Sequence, residues 1–140
     1  MITKSGSARW EGGLRTGKGL VSTQSGALKD QPYGFNTRFE GAAGTNPEEL
    51  LGASHAACFS MALSLMLEQA GITNTSVQTT SDITLDKDGD GFKVSKAHLV
   101  TRISGDGDRD TMLDLAGKAE KGCPISKALN AEISLDATVV

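Results

Sequence analysis

The sequence predicts an α+β domain that occupies the whole chain, residues 1–140. Three observations support this fold class: short strand patterns precede residue 41, one long helix pattern follows them, and strands and helices are mixed in the second half. The predicted order is βββ-α-ββ-αα-β. Because aromatic residues make up only 4% of the chain, the core must be aliphatic, and a dimer interface would relieve a marginal core.

The first part of the chain predicts three short strands. Residues 7–11 and 18–24 flank a glycine-rich turn at residues 12–17, and residues 35–40 alternate in polarity as a third strand does. In that third strand Arg38 lies on the polar face, opposite the face that carries the phenylalanines.

A long helix begins sharply after these strands. Asn46 suits the N-cap, Pro47 suits the first helical position, and Gly71 suits the position just past the last turn. The apolar residues of this helix lie on all its sides, which predicts a central helix that is buried all round. Its serines, His55 and its acidic start argue against a membrane span.

The second half predicts five more elements. Strands at residues 76–85 and 92–103 are joined by an aspartate- and glycine-rich turn, helices follow at 108–121 and 123–129, and residues 131–140 form a last strand.

The charge of the chain and its first ten residues argue against several classes of function. The chain has 14 Lys+Arg against 17 Asp+Glu, and the basic residues are scattered, so we expect no nucleic-acid partner. The first ten residues hold no signal-peptide core, and we expect a cytoplasmic protein with no membrane partner.

Neither a metal nor a cofactor is expected. Residues 86–91 resemble the start of a calcium loop, but its twelfth position is Ala97 where a bidentate acid is needed, so a hairpin turn is the better interpretation. A zinc site would have to combine Cys58, Cys123, His55 and His98, which lack the usual short spacing of ligand pairs.

Cys58 lies in the middle of the apolar helix, where burial raises the pKa of a thiol and the backbone N–H groups are already used. A reactive Cys58 must therefore borrow positive charge from elsewhere. Residues 41–86 contain no Lys or Arg, so Arg38 is the first candidate and Arg15 the second. His55, three residues before Cys58, could lie beside it, although a local structural hydrogen bond is the more common role of such a histidine.

Cys123 stands at a helix start, after Gly122 and before Pro124. Free N–H groups and the helix dipole favour a thiolate at such a position. The plainer alternative is that Cys123 is a small N-cap residue and that both cysteines are inert core thiols.

Four segments closely resemble the OsmC family of hydroperoxide reductases: residues 31–41, 45–50, 55–61 and 122–126. They include Asn-Pro-Glu, His-Ala-Ala-Cys-Phe and Gly-Cys-Pro-Ile-Ser, in the family's order and spacing over nearly the whole chain. The resemblance implies an OsmC-like fold, an intertwined homodimer with antiparallel sheets around a long cysteine-bearing helix.

The same resemblance implies an enzyme and its site. Cys58 would attack a peroxide and become a sulfenic acid, Cys123 would close a disulfide with it, and an external dithiol would reduce that bond. Arg38 would hold the Cys58 thiolate, and Glu48 would orient Arg38. The implied substrates are organic hydroperoxides, with hydrogen peroxide reduced less well.

Helix geometry bears on the choice of glutamate and on the dimer. Glu48 comes closer than Glu49 to the helix face of Cys58, and Glu49 at the third helical position suits a cap. Ten residues of helix place Glu48 about 15 Å along the axis from Cys58. Either the helix breaks near Gly52, or Glu48 and Arg38 come from a second subunit, which we favour.

Two other classes of function stay open. The chain could be a non-enzymatic stress protein with redox-sensing thiols, which would react once with peroxide. It could also bind hydrophobic ligands at its apolar site, without need of Cys58.

Overall fold

The structure is a computed structural model that describes all residues, 1–140. The chain divides into two compact units, Met1–Leu50 and Leu51–Val140. One long helix begins in the first unit and continues in the second. That a single domain spans the chain stays a prediction.

The first unit contains an antiparallel sheet of three strands in sequence order. They are β1 (Gly6–Glu11), β2 (Lys18–Thr23) and β3 (Gln31–Tyr33), followed by the short helix α1 (Phe35–Phe39). The first two strands match the prediction to within one residue.

The third predicted strand is wrong: residues 35–40 form α1 and its C-cap, and Arg38 therefore lies on a helix. The strand ends before them, at Tyr33. The Thr37 hydroxyl accepts from the Gly34 N–H and donates to the Gly34 carbonyl, both at 3.0 Å, which closes a helical turn. The rings of Phe35 and Phe39, four residues apart, lie 4.9 Å from each other. These local contacts outweigh a period-two pattern that only six residues support.

The long helix α2 (Pro47–Gln69) has the ends that the sequence predicts. Asn46 accepts a hydrogen bond from the Glu49 N–H at 2.8 Å, which caps the first turn. Gly71 adopts φ +75°, and the bonds from Gly71 N–H to Glu68 and from Ile72 N–H to Leu67 complete a Schellman motif.

The expectation that α2 is buried all round is wrong for the single chain. One stripe is buried, and it consists of Gly52, His55, Phe59, Leu63 and Leu67. The opposite side exposes small and apolar residues, among them Met61 at 76% and Leu65 at 53%. Composition alone could not show this, because both sides of the helix are apolar.

The second unit contains a sheet in the order β4-β5-β6. Its strands are β4 (Thr73–Asp88), β5 (Gly91–Asp106) and β6 (Glu132–Val139). The turn between β4 and β5 is the predicted hairpin. The expectation of purely antiparallel sheets is wrong, because β6 pairs with β5 in parallel. The chain reaches β6 through two helices, and such a crossover allows a parallel partner.

Those two helices, α3 (Arg109–Gly122) and α4 (Pro124–Ala128), lie within a residue of their predicted positions. The Asp108 carboxylate caps α3 by accepting from the Thr111 N–H at 2.9 Å. Helices and sheet enclose an apolar core that consists of Phe59, Leu63, Leu67, Ile72, Leu99, Ile103, Met112, Ala116, Ala119 and Cys123.

By length and composition α2 is the one helix that could cross a membrane. Its polar side chains are engaged in the second unit: His55 contacts Ser81, and the Ser60 hydroxyl donates to Thr79 at 2.9 Å. The helix packs on the sheet through these bonds and through its buried stripe, as the core helix of a folded unit does.

Gly52 marks the closest approach of α2 to β4. A Cβ at Gly52 would stand 2.6 Å from the Ser81 carbonyl oxygen, which is backbone and cannot move aside. We predict that Gly52→Ala destabilises the protein by about 1–3 kcal/mol through overpacking.

Gly117→Ala is the matched control, because it also lies in a helix interior and its Cβ would meet nothing within 4 Å. It should stabilise the protein by about 0.5–1 kcal/mol. Urea denaturation of both variants measures the difference. Equal stability of Gly52→Ala and the original protein would show that α2 and β4 are not in close contact.

Candidate active site

The structure places Cys58 and Cys123 side by side as free thiols, where each alters the pKa of the other. Cys58 comes from the middle of α2, at the edge of its buried stripe, and is half-buried. Cys123 is 0% exposed. A reagent from solvent therefore reaches Cys58 first, and Cys123 stands behind it.

The connection between α3 and α4 fixes Cys123. Gly122 is the last residue of α3, and Pro124 is the first of α4. Cys123 between them is the C-cap of one helix and the N-cap of the next. Its N–H bonds to Ala119 at 2.9 Å, and its carbonyl accepts from Lys127 at 3.1 Å. Backbone hydrogen bonds on both sides of Cys123 therefore fix the position of its sulfur.

The surroundings of the two thiols shift their pKa values in opposite directions. Burial raises the pKa of Cys58, and the hydrogen bond to Cys123 raises it further, against a smaller contribution from the Ile125 N–H. Burial also acts to raise the pKa of Cys123, but hydrogen bonds from Cys58, Ser126 and Ile125 outweigh it, and the net direction is down. The Ser126 and Ile125 N–H groups face the sulfur of Cys123 without a tight capping bond. Both pKa directions confirm the expectations from the sequence.

Arg38 and Glu48 form an ion pair within the first unit. Arg38 donates from Nη2 to Glu48 Oε1 at 2.7 Å and from Nε to both carboxylate oxygens, at 3.1 and 3.2 Å. The Arg38 side chain is 37% exposed and that of Glu48 is 16% exposed. Glu49 is exposed, and its N–H serves the cap at Asn46. The structure thus joins Arg38 to Glu48 and leaves Glu49 out.

An apolar cavity of about 240 Å³ lies beside Arg38. Its walls are the side chains of Trp10, Leu14, Tyr33, Phe35, Arg38 and Phe39 and the backbone at Gly34. The second candidate cation, Arg15, stacks over the Phe35 ring at 4.5 Å and forms no ion pair there. A planar cation next to an aromatic wall can hold an anionic centre attached to an apolar group.

His55 is fully buried and bonds at both ring nitrogens. Nδ1 lies 2.7 Å from the Ser81 hydroxyl, and Nε2 lies 2.7 Å from the Ser126 hydroxyl. Burial lowers the pKa of His55, so the ring is neutral. The sequence indicated His55 but missed both serines. Ser126 could have been found from its position three residues after Cys123 at a helix start. The contact of Ser81 with His55 could not, because it depends on how β4 packs against α2.

No three His, Cys, Asp or Glu side chains meet in a cluster that could hold a metal ion. In particular, His98 is bonded to Ser134 at 2.6 Å on the sheet.

Known proteins resemble this chain over most of its length. A family model for the OsmC-like proteins matches residues 39–138. Peroxiredoxin OsmC of Escherichia coli (strain K12) is 58% identical over 136 residues, which cover 96% of this chain and 95% of that protein. The organic hydroperoxide resistance protein OhrB of Bacillus subtilis (strain 168) is 30% identical over 118 residues, 84% of this chain and 85% of OhrB.

Solved structures of related proteins match the fold of this chain. The crystal structure of OhrB of Bacillus subtilis matches with a TM-score of 0.73 and 30% identity over 98% of both chains. An organic hydroperoxide resistance protein OsmC from Legionella pneumophila matches with a TM-score of 0.69 and 26% identity, over 99% of this chain and 98% of that one.

An accessible thiol in contact with a buried one, on an α+β fold, is the arrangement of a dithiol oxidoreductase. The chain belongs to the OsmC-like family, which confirms the resemblance seen in its sequence. With this cysteine pair it is a cysteine-based peroxidase.

The contact between the thiols yields a prediction about their titration. In Cys58→Ala, Cys123 loses a hydrogen-bond donor to its thiolate, so its pKa should rise. In Cys123→Ala, Cys58 loses the neighbour that favours its protonated form, so its pKa should fall. The two single thiols should therefore titrate closer together than the two thiols of the unaltered protein.

Ultraviolet absorbance of the thiolate against pH measures all three proteins. An unchanged separation between the titrations would mean that the thiols do not interact in solution.

Proposed function

We propose that the protein reduces organic hydroperoxides at Cys58, and hydrogen peroxide less well, with Cys123 as the resolving cysteine. The observation that carries this assignment is the contrast in exposure: Cys58 faces solvent in part, and Cys123 lies buried in contact with it. A buried thiol cannot meet a peroxide first, but it can close a disulfide with an oxidised neighbour.

The chemistry has three steps. The Cys58 thiolate attacks the terminal, hydrogen-bearing oxygen of the hydroperoxide, so an S–O bond forms and the O–O bond breaks. Cys58 becomes a sulfenic acid, and the alkoxide that leaves takes up a proton and becomes the alcohol. Cys123 then attacks the Cys58 sulfenic acid, the S–O bond breaks, and water leaves. An external dithiol reduces the disulfide by thiol–disulfide exchange and restores both thiols.

Cys58 needs a cation for the first step, because its own surroundings raise its pKa. Arg38, oriented by Glu48, supplies that charge and stabilises the departing alkoxide. The apolar cavity beside Arg38 accommodates the organic group of the peroxide, which explains a preference over hydrogen peroxide.

The cation comes from a second subunit. Helix α2 is unbroken at Gly52, so the alternative of a break between Glu48 and Cys58 is wrong. The apolar side of α2 that the single chain exposes, with Ala53, Ala57, Met61 and Leu65, supports a homodimer that buries this helix.

We also propose that the enzyme works in the cytoplasm. This reducing compartment keeps both cysteines as thiols until peroxide arrives. The partners are then the peroxide, the dithiol reductant and a second copy of the chain, with neither nucleic acid nor membrane.

We predict continuous turnover of an organic hydroperoxide when a dithiol is added, and none in Cys58→Ser. Cys123→Ser should react once and leave Cys58 as a sulfenic or sulfinic acid, because no resolving thiol follows. Steady-state peroxide consumption and mass spectrometry after one equivalent of peroxide measure these outcomes.

Three results would contradict the assignment. A single reaction without turnover in the unaltered protein would indicate a redox sensor, and sulfenic acid trapped first on Cys123 would reverse the roles. Fatty-acid binding that persists in Cys58→Ser, without peroxide turnover in any form, would favour a hydrophobic-ligand protein that uses the cavity beside Arg38.

We predict that Arg38→Ala slows peroxide reduction about tenfold or more, because removal of an electrostatic donor from a reaction site costs at least this much. Arg15→Ala is the control, since Arg15 stacks on Phe35, which lines the cavity, whereas Glu48 bonds to Arg38. Refolding a mixture of Cys58→Ser and Arg38→Ala should restore activity, because a mixed dimer contains one intact site.

The refolded mixture is checked for heterodimers by native mass spectrometry. Heterodimers without activity would show that each site is built within one chain. A larger effect of Arg15→Ala than of Arg38→Ala would show that Arg15 supplies the charge.

A further inference from the structure

Cys123 must lose and regain a proton in every cycle of the proposed reaction, yet its side chain is 0% exposed. It loses the proton when it closes the disulfide, and it leaves as a thiolate when the dithiol reopens that bond. No solvent contact is available to a side chain buried to this degree, so its proton passes either to the hydroxide that leaves Cys58 or along hydrogen bonds through the protein.

A series of hydroxyl and imidazole groups begins next to Cys123. Ser126 is three residues after Cys123 in α4, and its hydroxyl is close enough to the Cys123 sulfur to lower the pKa of that thiol. The same hydroxyl lies 2.7 Å from His55 Nε2, and His55 Nδ1 lies 2.7 Å from the Ser81 hydroxyl. Ser126 and His55 are buried, whereas Ser81 on β4 is half-buried.

We propose that Ser126, His55 and Ser81 form a proton path between the buried Cys123 thiol and solvent at the half-buried Ser81. His55 is then a positioning residue for the resolving step and does not touch the peroxide. The inference rests on the proposed role of Cys123 and adds residues that this role requires.

Proton transfer along this path leaves the number of protons on His55 unchanged, so its ring stays neutral throughout. With Cys123 as a thiol, its S–H donates to Ser126, the Ser126 hydroxyl donates to His55 Nε2, and His55 Nδ1–H donates to Ser81. Shifting each proton one place leaves Cys123 as a thiolate, moves the ring proton of His55 from Nδ1 to Nε2, and releases one proton from Ser81.

Disulfide closure then balances. The Cys123 sulfur attacks the Cys58 sulfenic sulfur, the S–O bond breaks, and hydroxide leaves with its electron pair. Hydroxide takes a proton from solvent at the Cys58 side and becomes water, while the Cys123 proton leaves through Ser81. Reduction of the disulfide by the dithiol runs the path in the opposite direction.

The close contact at Gly52 holds this path in place. Gly52 lies one helical turn before His55, and a Cβ there would collide with the Ser81 carbonyl. Only this approach of α2 to β4 allows a histidine on the helix to reach a serine hydroxyl on the strand at 2.7 Å.

The test separates the two chemical steps in Ser126→Ala, which removes one hydroxyl and little volume. One equivalent of cumene hydroperoxide is added, the reaction is quenched at increasing times, and mass spectrometry counts sulfenic acid and disulfide. We expect Cys58 to be oxidised at the original rate and the disulfide to close about tenfold more slowly or worse, since proton transfer by a positioned group contributes at least this much. More Cys58 should then reach sulfinic acid.

Two further variants and one control variant extend the test. His55→Gln keeps a hydrogen-bonding side chain that cannot exchange tautomers, and it should show the same selective delay. Ser126→Thr restores the hydroxyl and should restore the closing rate. Ser60→Ala is the matched control, because Ser60 lies on the same helix and bonds to Thr79 outside the path.

A solvent isotope effect gives a readout that a purely structural role would not alter. Disulfide closure should slow in heavy water in the unaltered protein and lose this sensitivity in Ser126→Ala. Closure at the original rate in Ser126→Ala, or an equal slowing of both steps, would overturn the proton path. If peroxide fails to oxidise Cys58 in the unaltered protein, the proposed function itself fails, which is a different result.

Discussion

The packing of α2 on β4 is the interaction on which the site depends. Gly52 permits backbone contact at one end of the interface, and the buried stripe from His55 to Leu67 continues it along the helix. Each large side chain in that stripe contributes about 1.5–3 kcal/mol by burial. Because Cys58 precedes the buried Phe59 by one position, it lies at the edge of the stripe, which gives it contact with both Cys123 and solvent.

This placement gives the two adjacent thiols different electrostatic surroundings. Cys123 lies at a helix start among N–H and hydroxyl donors, so its thiolate is favoured although it is buried. Cys58 lies in a helix interior that has no free donors, and its pKa is raised. The proposed function therefore requires a cation at Cys58, and the exposed apolar side of α2 is the surface on which the proposed second subunit would bind.

The sequence predicted those parts of the fold that depend on neighbouring residues. The caps at Asn46 and Gly71 and the helix break at Cys123-Pro124 are local signals, and each lies where the structure has it. The cysteine pair and the pairing of Arg38 with Glu48 came from family motifs, and the structure brings the members of each pair together.

One failure is local: residues 35–40 alternate as a strand does, but the Thr37 hydroxyl and the packed rings of Phe35 and Phe39 select a helix. The other failures lie where distant residues decide. The parallel pairing of β6 depends on the crossover before it, and the exposed side of α2 depends on what surrounds the chain. The role of Ser81 could not be seen at all, because it follows from the register of β4 beneath a helix that lies elsewhere in sequence.

The proposed activation of Cys58 by Arg38 of a second subunit is tested most directly by diluting the protein until the proposed dimer dissociates. The rate constant for oxidation of Cys58 by an organic hydroperoxide is measured at each concentration, with the assembly state followed by analytical ultracentrifugation. The rate constant should fall about tenfold or more as dimers dissociate, since the monomer lacks the arginine that stabilises the thiolate. A rate constant that stays the same in monomers would contradict the shared site and place the activating charge within one chain.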